Sequence, residues 1–123
     1  MNVEDLQVYQ ESFALSVSLY PITRNWKDFW LRDQVMRSSS SVCANLAEMS
    51  GHHTDEMYLH KLTICRGEAK EIIFWLKYCN AIGIPIPNEL SDKADKVARM
   101  LYNLKESVGN QTDARRPSPG ARR

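Results

Sequence analysis

Four stretches of this chain repeat apolar residues every three or four positions, and helix-breaking residues separate them. This spacing places the apolar side chains on one side of an α-helix. It predicts helices over residues 3–20, 29–49, 54–81 and 88–108. Pro21 is predicted to end the first helix, because proline lacks a backbone N–H and disfavours helix in the residue before it. Short connections favour antiparallel neighbours, so the sequence predicts an all-α fold, an antiparallel up-down four-helix bundle.

The chain has 123 residues, which is enough for one domain. We expect residues 1–108 to form the bundle and residues 109–123 to form a basic tail. The tail contains proline and glycine and lacks apolar periodicity, so disorder is predicted there. The formal net charge of +1 conceals an asymmetry, because the last ten residues hold four arginines and no acid. The body of the protein is therefore mildly acidic.

The compartment is predicted from absences in the sequence. The N-terminus is acidic and lacks the basic and apolar segments of a signal peptide. No uncharged apolar stretch approaches the roughly 20 residues that span a bilayer. Cys43, Cys65 and Cys79 lie within apolar helical patterns and form no Cys-x-x-Cys pair. These features predict a soluble, cytoplasmic protein with buried thiols, no metal site and no membrane contact.

The first and third helices carry apolar residues on more than one side. In the first helix, Leu6, Tyr9, Phe13 and Val17 form the stripe that we expect to face the core. A bundle needs only one apolar sector per helix, and a partner usually covers additional apolar surface. The additional sectors predict an oligomer interface, formed by Val8, Leu15, Leu19, Met57, Ile64 and Trp75. The alternative is that these long side chains simply lie along the surface of a monomer.

The second helix has a narrow polar sector beside its apolar stripe, formed by Gln34, Arg37, Ser41, Asn45 and Glu48. Polar groups beside a core are costly unless they are paired. We therefore expect a hydrogen-bonded polar seam, with Glu71 and Arg66 of the third helix as candidate partners. The alternative interpretation is that this sector contacts a ligand.

Several segments of the chain together resemble one family. These segments are Asp5-Leu6-Gln7-Val8-Tyr9-Gln10, Gln34 and Arg37 three apart, Ser41-Val42-Cys43-Ala44-Asn45-Leu46-Ala47-Glu48, and Gly67 to Glu71. The chain resembles the four-helix-bundle proteins encoded within intervening sequences of bacterial large-subunit ribosomal RNA. That superfamily also includes the accessory variability proteins of diversity-generating retroelements. The similarity covers roughly residues 4 to 107. Met49 stands where the family usually has glycine, and Glu68 replaces a serine.

The resemblance implies a homopentameric ring without catalytic residues or cofactors. In the retroelement branch, it also implies association with a reverse transcriptase and with nucleic acid. Arginine and lysine supply most non-specific affinity for phosphates. The candidate RNA or DNA contacts in this chain are Arg24, Lys27, Arg32, Arg37, Arg115, Arg116, Arg122 and Arg123.

Two other functions stay open from the sequence. A protein–protein scaffold without nucleic acid would use Trp26, Phe29 and Trp30 as aromatic anchors. An enzyme would need a site such as His53, Glu56 and His60, which share one side of a helix start. The chain has no His-Glu-x-x-His spacing, so we do not predict an enzyme.

Overall fold

The structure is a computed structural model that describes residues 2–51 and 54–115. In these ranges the chain forms four α-helices and no strand: α1 Gln7–Thr23, α2 Phe29–Glu48, α3 Asp55–Ala81 and α4 Asn88–Arg115. Short 3-10 helices cover Val3–Asp5 and Met49–Gly51. Helices α1 and α3 each pack against α2 and α4, so α1 and α3 lie at opposite corners. The predicted four-helix bundle is confirmed.

The core is a continuous set of aliphatic side chains from all four helices. The predicted inward stripes of α2, α3 and α4 are confirmed, since Leu31, Val35, Leu62, Leu76 and Leu101 are almost completely buried. Apolar burial of this kind is the main force that holds helices together. None of the helices in residues 2–51 and 54–115 is long and apolar enough to cross a membrane.

The inward face of α1 differs from the predicted one, although Leu6 and Tyr9 do pack against the core as partly buried side chains. Phe13 and Val17 are 51% and 56% exposed, although they were predicted to face the core, and Tyr20 one turn further along is 57% exposed. Val8, Leu15 and Leu19 are buried, although they were predicted to form an oligomer interface. That part of the interface prediction is wrong, because a side chain in the core of one bundle cannot contact a second copy.

Buried hydroxyl groups explain why apolar periodicity predicted the wrong inward face of α1. The inward face of α1 also contains Ser12, Ser16 and Thr23, which look polar in the sequence. A helical serine or threonine can donate its hydroxyl hydrogen to a carbonyl of the preceding turn. Ser12 donates in this way to the Tyr9 carbonyl at 3.0 Å, and Ser39 of α2 donates to the Ser16 hydroxyl at 3.2 Å. The serines thus pack between α1 and α2 without an unpaired polar group.

Pro21 does not end α1, which was predicted to stop at residue 20. The helix continues to Thr23, and the Arg24 N–H donates to the Tyr20 carbonyl at 3.0 Å. Proline removes only the hydrogen bond that its own N–H would donate to the Val17 carbonyl. Both Val17 and Pro21 are exposed, so water can reach that carbonyl. The cost of proline is small in the last turn of an exposed helix face.

Helix α4 is seven residues longer than predicted, since it reaches Arg115 rather than residue 108. Thr112 is buried and donates its hydroxyl hydrogen to Asp55 at 3.0 Å, and Arg115 forms an ion pair with the same carboxylate. These contacts hold residues 109–115 against the start of α3, so the predicted disordered tail is wrong for this part. Residues 116–123 lie outside the described residues.

Local signals set both ends of α3. The Thr54 hydroxyl accepts a hydrogen bond from the Met57 N–H at 3.2 Å, as an N-cap does. After Ala81 the chain turns at Gly83, whose φ of +89° is unfavourable for residues with a Cβ atom. The Ile84 N–H then donates to the Cys79 carbonyl at 2.8 Å, which satisfies a carbonyl at the helix end. Both predicted boundaries of this helix are confirmed.

The revised face of α1 can be tested by truncating one side chain on each side. We expect Leu19→Ala to lower the free energy of unfolding by about 2–5 kcal/mol, because it leaves a cavity in the core. Ser18→Ala, at the adjacent exposed position, should change it by about 0.5 kcal/mol or less. Urea unfolding followed by circular dichroism measures both. Equal effects of the two substitutions would contradict the burial of this side of α1.

Candidate functional site: a polar seam and an aromatic cluster

A network of charged side chains joins α2 to α3. The Arg37 guanidinium contacts Glu68 at 3.2 Å, forms an ion pair with Glu71, and donates to the Gln34 side-chain oxygen at 3.3 Å. The Trp75 indole N–H donates to the same Glu71 carboxylate at 3.3 Å. The Arg37 guanidinium therefore pairs with two carboxylates, and Glu71 accepts hydrogen bonds from both Arg37 and the Trp75 indole. We call this network and its continuation to Glu48 the polar seam.

The polar seam continues towards the other end of α2. The Lys61 ammonium donates to the Asn45 side-chain oxygen at 3.0 Å and forms an ion pair with Glu48. The Asn45 amide donates to the Ser41 hydroxyl at 3.0 Å and to the Ser41 carbonyl at 2.8 Å. Except for Arg66, the predicted seam residues therefore all take part in this network.

Along the polar seam, each charged side chain of α2 faces an opposite charge on α3. As α2 advances from Arg37 to Glu48, the partners on α3 step back from Glu71 to Lys61, which is the order that antiparallel helices require. The sequence reasoning missed Lys61 and Glu68, although they lie seven residues apart, about two turns, on the same helix as Glu71. It also wrongly included Arg66, whose guanidinium lies 4.8 Å from the centre of the Tyr102 ring.

The two carboxyl groups beside Arg37 differ in their electrostatics. Burial raises the pKa of Glu68, and a hydrogen bond with Glu71 raises it further. Burial also acts to raise the pKa of Glu71, but hydrogen bonds from Arg37 and Trp75 outweigh it and lower that pKa. The hydrogen bond with Glu71 raises the pKa of Arg37. The shifts point to a single tightly paired carboxylate, Glu71, at the centre of the network.

Next to the polar seam lies a group of aromatic rings, which we call the ring cluster: Trp30, Phe74, Trp75 and Tyr78. The centres of the Phe74 and Trp75 rings are 4.9 Å apart, and those of Trp75 and Tyr78 are 5.6 Å apart. Trp30 of α2 approaches both Trp75 and Tyr78 at 6.0 Å. Trp30 and Phe74 remain 53% and 54% exposed. The cluster therefore presents two open rings that are supported by two half-buried rings.

Most of the predicted RNA or DNA contacts in the described residues already have an acidic partner. Arg37 pairs with Glu71, Arg115 pairs with Asp55, and Arg32 pairs with Asp33 at 3.3 Å. Arg24 and Lys27, in contrast, are exposed and form no ion pair with any described residue. Arg116, Arg122 and Arg123 lie outside the described residues.

The remaining predicted interface residues are on α3. Met57 is 40% exposed, whereas Ile64 and Trp75 are half-buried. The apolar residues that α1 turns outward are Phe13, Val17 and Tyr20. Between Gln7 and Thr23 the one charged residue is Glu11, which pairs with Lys93 and Lys96 of α4 at 3.4 and 3.3 Å. The outward face of α1 is thus apolar and uncharged, which the sequence reasoning missed because it placed these residues inside.

The described residues offer few groups for catalysis. Cys43, Cys65 and Cys79 are free and buried, as predicted. Burial raises the pKa of Cys65 to about 12 and that of Cys79 to about 11, so these thiols stay protonated near neutral pH. Residues 2–51 and 54–115 contain no cluster of three or more histidine, cysteine or acidic side chains that could hold a metal ion. His53 lies outside the described residues.

The helices that carry the polar seam and the ring cluster fall within one known family. The model of the 23S rRNA-intervening sequence protein family matches residues 4–103, which is most of the chain. The chain belongs to this family. Residues of the polar seam, from Gln34 to Glu71, all lie inside the matched region of this intervening-sequence protein.

A solved structure shares the fold of this intervening-sequence protein. It is the crystal structure of a protein of unknown function from the S23 ribosomal protein family of Bacteroides thetaiotaomicron. The TM-score is 0.74 at 18% sequence identity, and the match covers 86% of this chain and 99% of the other. At this identity the likeness shows the fold alone. No curated protein matches the chain significantly.

The structural role of the polar seam can be tested at Arg37. We expect Arg37→Gln to lower the free energy of unfolding by about 1 kcal/mol, because the side chain is half exposed and pairs with two carboxylates. The loss should shrink as the pH falls through the lowered pKa of Glu71, since a protonated carboxyl no longer pairs with a cation. Urea unfolding at several pH values measures both effects.

Arg24→Gln is the matched control, because Arg24 is exposed and has no acidic partner among the described residues. Its effect on stability should stay within about 0.5 kcal/mol. If Arg37→Gln left stability unchanged at every pH but abolished binding of a partner, the seam would be a binding site rather than a structural contact.

Proposed function

We propose that this protein is a non-enzymatic binding module whose copies associate through the outward face of α1. The observation that carries the proposal is the composition of that face. Phe13, Val17 and Tyr20 are each more than half exposed, and no charged side chain lies among them on α1. Soluble proteins usually cover an apolar surface of this kind with a partner.

A second copy of the chain fits this surface because the bundle has further apolar groups at the opposite corner. Met57 and the half-buried Ile64 lie on α3, diagonally across from α1. Two different apolar surfaces on opposite sides of one subunit allow head-to-tail contacts between copies. Such contacts form a closed ring when the rotation from one subunit to the next adds up to a full turn. The homopentamer that the resemblance implies is one such ring, and it is part of this proposal.

Self-association can be tested by placing a charge on the outward face of α1. We expect the unchanged protein to have a mass in solution that is a multiple of 14.2 kDa. Phe13→Glu should give single subunits, because burial of an unpaired carboxylate in an apolar contact is costly. Light scattering after size-exclusion chromatography measures the mass.

Asn103→Glu is the control for this experiment, since Asn103 is exposed on α4. It adds the same charge away from the proposed contact and should leave the assembly intact. An unchanged protein that stays at 14.2 kDa when concentrated would overturn the proposal.

Nucleic acid is a second candidate partner, favoured by the two unpaired cations of the connector between α1 and α2. Arg24 and Lys27 are exposed and form no ion pair with a described residue, so they are available to phosphates. An oligomer would repeat this weak site in every copy and so multiply its affinity. A reverse transcriptase, which the resemblance implies as a partner, would then meet the assembly on shared nucleic acid.

The connector can be tested with a salt titration of RNA binding. We expect the affinity to fall as salt rises. The double substitution Arg24→Gln with Lys27→Gln should weaken binding and reduce the slope of log K against log salt by about 1.4 for single strands. Lys96→Gln is the control, because Lys96 already pairs with Glu11. Binding that ignores ionic strength would contradict contact with phosphates.

The chemistry of the polar seam supports a role other than catalysis. Paired carboxylates are a common arrangement for general acid and base catalysis, and Glu48 and Glu71 are the acids of the seam that the sequence predicted. Glu71 pairs with Arg37 and Glu48 with Lys61, at separate points along α2. A general acid or base must reach a substrate, whereas the Glu71 carboxylate is occupied by contacts that join two helices.

A further inference from the structure

The ring cluster is built differently from the apolar face of α1, because its open rings are held in place. Trp75 and Tyr78 support Trp30 in edge-on contacts, with interplanar angles of 73° and 78°. The hydrogen bond from the Trp75 indole to Glu71 ties the cluster to the polar seam. The exposed faces of Trp30 and Phe74 are therefore preorganised, so that a flat ligand group meets little loss of side-chain freedom.

Two lysines of α3 that form no ion pair with a described residue lie beside the ring cluster. Lys70 and Lys77 lie one turn before and after Phe74 on the exposed side of α3, and neither forms an ion pair with a described residue. Glu71 is the one acid between residues 70 and 81, and it is occupied by Arg37 and Trp75. The open ring of Phe74 is thus flanked by two available ammonium groups.

We infer that the ring cluster binds single-stranded nucleic acid, with bases stacked on Trp30 and Phe74 and phosphates near Lys70 and Lys77. Aromatic side chains beside cationic ones are what unpaired strands require, since every base offers a flat face and every nucleotide a negative charge. A duplex has its base faces covered by neighbouring pairs, so it cannot use the rings. This inference rests on the proposed binding of nucleic acid and assigns it a strand type and a surface.

The position of the cluster agrees with the connector site. Antiparallel packing brings the start of α2 beside the end of α3, as the contact between Trp30 and Tyr78 shows. The connector that carries Arg24 and Lys27 leads directly into α2. A strand can therefore pass from the connector cations to the open rings and on to the α3 lysines at one end of the bundle.

A second copy of the chain is a poorer occupant of this surface. The outward face of α1 offers no carboxylate, because Glu11 is already paired with two lysines. Docking that face on the ring cluster would remove the charged ends of Lys70 and Lys77 from water without a partner, which is costly. The phosphates of a nucleic acid, in contrast, can pair with both lysines.

The test uses the full chain and a fluorescein-labelled 15-nucleotide oligouridylate, followed by anisotropy at fixed salt. We expect Trp30→Leu and Phe74→Leu each to weaken binding about fivefold or more, because stacking on one ring is lost. Tyr102→Leu is the matched control: Tyr102 is an exposed ring on α4, and its loss should leave the affinity unchanged. Circular dichroism confirms that each variant is folded.

Two further measurements separate the outcomes. The unchanged protein should bind the oligouridylate more tightly than an RNA hairpin duplex of equal length. Binding of the oligouridylate should quench tryptophan fluorescence in the unchanged protein, and the quenching should be smaller in the Trp30→Leu variant. The contrary result is that both ring variants bind with the affinity of the unchanged protein while the Arg24 and Lys27 variant loses binding. This result would overturn the present inference, whereas it would support the proposed connector site. A ring substitution that alters the mass of the assembly but not the affinity would also overturn it. Failure of the unchanged protein to bind either RNA would overturn both proposals.

Discussion

The ion pair between Arg37 and Glu71 is the contact on which the described site depends, because it joins α2 to α3 and meets the ring cluster at Glu71. Apolar contacts are non-directional, so they leave some freedom in how two helices lie against each other. Directional contacts at Arg37 and Lys61 restrict that freedom at two points along the same interface. The same Glu71 carboxylate also holds the Trp75 indole, so the register of the helices and the position of the ring cluster are coupled.

The surface of the bundle is divided between two kinds of interaction. The outward face of α1 is apolar and uncharged, whereas the ring cluster combines open aromatic rings with lysines. These compositions suit different partners, since an uncharged apolar face gains by contact with another apolar face. A surface of aromatic rings and lysines favours a ligand that combines flat bases with negatively charged phosphates. The two surfaces lie on different helices of one subunit, since the rings of the cluster belong to α2 and α3.

Membership of the 23S rRNA-intervening sequence protein family agrees with where the charged contacts lie in the chain. The segments that carry the resemblance include Gln34, Arg37, Asn45, Glu48 and Glu71, and each of these residues takes part in the polar seam. Their spacing is therefore explained by packing of α2 on α3. In the structure these residues form contacts that join α2 to α3.

Apolar periodicity by itself determined the number of helices and the inward faces of α2, α3 and α4, and the local signals at Thr54 and Gly83 determined both ends of α3. It succeeded on these helices because their apolar stripes are buried, even though α2 also buries Ser38 and Ser39 beside its stripe. It failed on α1, where buried serines bond to their own helix and exposed aromatics keep the same period. The end of α4 was equally hidden, because Thr112 is ordered by Asp55, a residue 57 positions away. Only the tertiary structure decides such cases, since the stabilising partner belongs to another helix and leaves no local pattern.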